Sequence, residues 1–86
     1  MVLDKNHREV KIGSLVKVLF IEPGFILTFP YRKAKIMKSM INKTFEVVER
    51  EQGKALVYQP FDAFNGFSLA LASEEMELVD NIEINC

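Results

Sequence analysis

The sequence predicts an all-β domain: a small five-stranded barrel with a long early insert. Three observations carry that expectation. Short runs rich in β-branched and aromatic residues recur along the 86 residues. Gly, Pro and Asn-Gly signals separate those runs. The length matches one domain, given roughly 100–200 residues per domain. The expected layout is a loose N-terminal arm over 1–11, a single barrel over 12–80 and a tail over 81–86.

Residues 1–11 are mostly polar and lack a sustained period, so they read as an arm that pairs weakly through Val10 and Ile12. Gly13-Ser14 punctuates. Leu15 to Ile21 is a strand, with Val16 and Val18 alternating around Lys17 and an end that is apolar on both faces. Such an end calls for a neighbour that covers it. Glu22-Pro23-Gly24 is a turn. Phe25 to Phe29 fits a short strand that Pro30 ends. Beyond it, Ile36, Met37, Met40 and Ile41 fall on one helical face, with Arg32, Lys33, Lys35 and Lys38 on the other. A short helix and an irregular loop both fit this part of the insert over 22–43.

The second half is clearer. Thr44–Arg50 and Ala55–Gln59 are strand-like runs joined by Glu51-Gln52-Gly53-Lys54, where Gly53 offers a positive φ. Pro60 closes the second run. The loop after it ends in Asn65-Gly66, and Phe67, Leu69 and Leu71 then share a face. Ser73-Glu74-Glu75 reads as one tight turn that Ser73 is able to cap. Met76–Val79 is the last strand; Ile82 and Ile84 alternate and leave room for one more at the edge. The expected interior is Val16, Val18, Phe45, Val47, Leu56, Tyr58, Phe67, Leu69, Leu71, Met76 and Leu78.

This order resembles the SH3-like small β-barrel superfamily, including its KOW-type and related bacterial variants. Ile12 to Val18 carries the resemblance at the start, the hairpin from Thr44 to Tyr58 in the middle, and Ser73 to Val79 at the end. The long segment 22–43 departs from compact members. Members bind peptides, nucleic acids or each other, so the resemblance leaves the function open. A plasmid-borne dihydrofolate reductase type of similar fold builds its active site at the centre of a tetramer, but its active-site stretch has no match here.

Composition narrows the chemistry. The chain is 49% hydrophobic with net charge −1, unlike a disordered segment. It has no run of about 18 apolar residues and no apolar leader at Met1–Arg8. The expectation is a cytoplasmic protein with no membrane partner. Cys86 is the one cysteine and His7 the one histidine. Neither has the neighbours a nucleophile or a metal site requires. Gly13, Gly24, Gly53 and Gly66 are isolated, which excludes a glycine-rich phosphate loop. The reading is therefore non-enzymatic, with no cofactor, no metal and no catalytic residue.

Two binding modes remain. In the first, the chain is an interaction module that self-associates or docks a protein partner through Phe61, Phe64 and Phe67, with Met37 and Met40 on the same surface. Acidic and basic halves favour such pairing: residues 15–45 carry six cations against Glu22, while residues 46–86 carry nine acids against Arg50 and Lys54. In the alternative, Arg32, Lys33, Lys35, Lys38 and Lys43 bind nucleic acid, and Phe25, Phe29 and Tyr31 offer stacking faces. The sequence pI near 5.8 weighs against that alternative.

Overall fold

A computed structural model describes residues 1–60 and 62–79. Two short strands open the chain, β1 (Val2–Leu3) and β2 (Glu9–Val10), paired antiparallel with Val2 opposite Val10. Five strands follow: β3 (Leu15–Val18), β4 (Thr44–Glu51), β5 (Lys54–Pro60), β6 (Gly66–Leu71) and β7 (Met76–Leu78). They form one antiparallel sheet in the order β6-β5-β4-β3-β7.

The strand content matches the expectation, but the sheet is not closed into a barrel. Its edges, β6 and β7, do not pair with each other. The N-terminal segment supplies the reason. Residues expected as a loose arm lie along β7: the Lys5 N–H donates to the Met76 carbonyl at 3.1 Å, and the Leu78 N–H donates to the Asp4 carboxylate at 2.8 Å. Arg8 adds a bond from its guanidinium to the Leu78 carbonyl at 2.8 Å. The outward carbonyls of Met76 and Leu78 and the Leu78 N–H are thus occupied, while Val2 and Val10 join the core.

The hairpin forms as its sequence requires. Gln52 (φ 50°) and Gly53 (φ 78°) both take the left-handed conformation between the paired Glu51 and Lys54. A two-residue loop of that kind matches the twist of the flanking strands. Between Val47 and Glu49 the β4 register shifts, a bulge that bends the strand. Before it, Val47 exchanges bonds of 2.8 Å with Gly13 and Ser14; beyond it, β4 is committed to β5.

The insert is helical. Helix α1 (Pro23–Ile26) starts on a proline, which lacks an N–H where a first turn needs none, and Glu22 caps it by accepting the Gly24 N–H at 3.4 Å. The expected strand at Phe25–Phe29 is therefore absent, because local capping favours the turn. Helix α2 (Tyr31–Met40) follows Pro30 and turns Met37 and Met40 into the core. Asn42 (φ 71°) reverses the chain, and its N–H donates to the Val18 carbonyl.

The core combines Val16, Val18, Val47, Val57, Leu69, Leu71 and Met76 from the sheet with Ile21 just before the insert and Ile26, Met37 and Met40 from the insert. On β5 the inward residues are Ala55 and Val57, where Leu56 and Tyr58 were expected. Cross-strand register decides this. Val47 stands opposite Val57, Ala55 opposite Leu71 and Val57 opposite Leu69, and opposed residues share a face. Tyr58 lies outside, with its ring over Gly66. Ser73 does not cap the 3-10 turn Ser73–Glu75; the Glu75 carboxylate reaches back to the Ala72 N–H at 2.8 Å. The expected edge strand at Ile82 and Ile84 lies outside the described residues.

Candidate interaction surface

A row of rings fastens the insert to the sheet. Phe25 in α1 and Phe29 in the bend after it meet edge to face at 5.0 Å and 82°. The Lys33 ammonium stands 4.3 Å from the centre of Phe29 and 4.9 Å from that of Phe67 on β6. Lys33 is therefore part of the packing between insert and sheet, not of the outward helix face on which the sequence placed it. Phe67 is half-buried by the same contact.

Two grooves flank α1. One, of about 450 Å³, runs along β6 and is lined by Ser68 to Leu71 on one side and by Ile21 and Phe25 on the other. Glu22, Lys54 and Glu75 also line it. The second, of about 420 Å³, lies among Phe20, Pro23, Ile26, Leu27 and Ile41, with Lys38 as its one charged residue. Three of the lining side chains stand out to solvent: Phe20 is 47% exposed, Phe25 45% and Leu27 78%.

The phenylalanine loop divides. Phe64 is 95% exposed. Asp62 fixes it there, because one carboxylate oxygen accepts the backbone N–H groups of Phe64 and Asn65, both at 2.9 Å. Those bonds, with the Asn65 side-chain amide and the nearby Arg32 charge, hold the Asp62 carboxyl below the usual carboxylate range. Phe61 lies outside the described residues. Met37 and Met40 do not join Phe64 on a partner surface; at 1% and 0% exposure they fill the core. Their spacing with Ile36 and Ile41 fits an inward stripe as well as an outward one, and the sheet supplies the apolar face that settles the choice.

The five cations divide too. Arg32, Lys35 and Lys38 share the solvent face of α2 with Tyr31, Lys33 lies over rings, and Lys43 is exposed beyond the helix. His7 is exposed in the turn between β1 and β2.

Asp4 was not singled out from the sequence. Its side chain is buried and accepts the N–H groups of Asn6 and Arg8, both at 2.9 Å, besides that of Leu78. Burial pushes its carboxyl up, but those three backbone bonds and the Arg8 guanidinium outweigh burial and hold it below the usual range. An Asp two residues before an Asn is a local turn signal; nothing in the sequence points to Leu78. The role is structural, since Asp4, just after β1, is bonded to β7.

Among the described residues, no group of three or more His, Cys, Asp or Glu side chains is placed to hold a metal ion, and no helix is long and apolar enough to cross a membrane. No protein-family model matches the chain, and no significant similarity to a curated protein or a solved structure was found.

Proposed function

We propose that this chain is a small non-enzymatic interaction module of the cytoplasm, which self-associates or docks a protein partner through the apolar surface of its insert. One observation carries the reading: Leu27 of the insert and Phe20 just before it are exposed at a groove with a single charged lining residue. A folded chain gains nothing from presenting such side chains together to water, and clustered apolar surface of this kind marks binding sites. Phe64, displayed by the Asp62 turn, adds an aromatic anchor of the type enriched in interface cores. We also place the sheet in the SH3-like class. In support stand the strand order, the two-residue hairpin and the 3-10 turn before β7; the long helical connection between β3 and β4 departs from compact members.

Photo-crosslinking tests the docking reading. A benzophenone side chain at Leu27 should give a discrete protein adduct, either a second copy or another chain, whereas the same group at the exposed turn residue Gln52 should not. Equal, diffuse labelling from both positions would sink the proposal.

A nucleic-acid contact is the second reading. It rests on the strip of Arg32, Lys35 and Lys38 beside the exposed Tyr31 ring, three cations with a stacking face.

A further inference from the structure

The two edges of the sheet are treated differently. The outer edge of β7 is covered by Asp4, Lys5 and Arg8. The outer edge of β6 is not paired with any described residue. Exposed edges are normally blunted by lysine, proline or a bulge. The stretch Gly66-Phe67-Ser68-Leu69-Ala70-Leu71 has no charge and no proline, and its six residues pair with β5 in unbroken register.

The hydrogen-bond phase of that edge follows from the hairpin. In a two-residue loop, Glu51 and Lys54 exchange both bonds, so alternation turns the N–H and C=O groups of Ala55, Val57 and Gln59 toward β6. Their partners there are Leu71, Leu69 and Phe67. The backbone groups of Ser68 and Ala70 consequently point outward, into the 450 Å³ groove. The next outward N–H, that of Ala72, is taken by Glu75.

Beyond the docking surface at Leu27, we propose that a second copy of this chain pairs antiparallel along β6 about a two-fold axis at Leu69. Only this register keeps the buried face continuous over the full strand: Leu69 meets its own counterpart, Phe67 meets Leu71, and Ser68 exchanges bonds with Ala70 of the other copy. The ends of β6 are complementary in charge. At one end Lys33 stands over Phe67 and Arg32 lies near Asp62, basic in sum, while Glu22, Glu75 and Lys54, acidic in sum, line the groove beside Leu71 at the other. Antiparallel pairing sets each basic end against an acidic one. It also brings position 64 opposite position 74, so each exposed Phe64 reaches the groove end formed by Ile21, Leu71 and Glu75.

Sedimentation and amide exchange test the proposal on the full chain. Wild type should be largely dimeric at about 100 μM, within the range of specific interfaces. Ala70→Pro removes two of the four intercopy bonds without touching the β5 ladder and should weaken the dimer at least about tenfold. Phe64→Asp should shift it the same way while circular dichroism stays unchanged. Without any substitution, exchange at the Ser68 and Ala70 amides should slow as concentration rises from about 1 to 100 μM. A dimer whose Ser68 and Ala70 amides gain no protection would overturn the strand pairing and leave self-association standing. A wild-type monomer at 100 μM would overturn the dimer, and a Leu27 adduct with a different protein would then keep the docking reading on its own.

Discussion

The carboxylate of Asp4 accepts the backbone N–H of Leu78 at 2.8 Å, joining residues 74 positions apart in sequence. The same carboxylate closes its own turn through Asn6 and Arg8. One buried side chain therefore ties the segment after β1 to β7.

Asp4→Ala leaves three N–H groups without their acceptor and should cost about 2–3 kcal/mol in denaturant unfolding. Asp4→Asn should recover only part, because its amide sets a donor against one of those N–H groups. Acid should expose the same linkage. The folded carboxyl sits below its usual value of 3.8, so its contribution is complete above that value. It is lost as the pH falls below 3.8 toward the folded pKa, where both states bind the proton. The Asp4→Ala variant should show a flatter stability profile across that window; an equally steep profile would assign the acid sensitivity elsewhere.

Leu69 lies at the centre of β6 and is 3% exposed. Leu69→Ala should cost about 2–5 kcal/mol, the range for a truncated core leucine. A cost below 1 kcal/mol would mean that the inner face of β6 is not part of the core.

Gly66 lies beneath Tyr58. A Cβ at position 66 would collide with the Tyr58 ring and come within 2.8 Å of the Gln59 carbonyl oxygen. Gly66→Ala should therefore destabilise by about 1–3 kcal/mol. Adding Tyr58→Ser should restore only part of that, since the Gln59 backbone cannot move away as a side chain can. Full restoration would show that the ring is the whole obstacle.

The nucleic-acid reading is tested at the solvent face of α2. Arg32→Glu, Lys35→Glu and Lys38→Glu leave the Phe29–Lys33–Phe67 packing alone, whereas Lys33→Glu would disturb it. If the protein-docking reading holds, wild type is not retained on single-stranded nucleic acid even at about 50 mM salt, where phosphate contacts are strong. Salt-sensitive retention that the triple variant abolishes would favour the alternative.

Residue order alone was enough for the parts of this protein that are governed locally. Gln52-Gly53 suits a two-residue loop whatever surrounds it, and the hairpin formed. Pro60 and Asn65-Gly66 bound strands, and Ile36, Met37, Met40 and Ile41 mark a helical face from their spacing alone. Tertiary structure decided what depends on a distant neighbour. Leu56 and Tyr58 alternate as convincingly as Ala55 and Val57, and only the register against β4 and β6 selects the smaller pair. Met37, Met40 and Phe64 are all apolar and all available to a partner; the sheet buries the first two, while the Asp62 turn holds the third in solvent. The arm became a sheet border because Asp4 finds Leu78, a bond with no local signature. The open edge at β6 has the same origin. A strand's residue types show that it will pair, but whether a second neighbour arrives depends on where the rest of the chain has already gone.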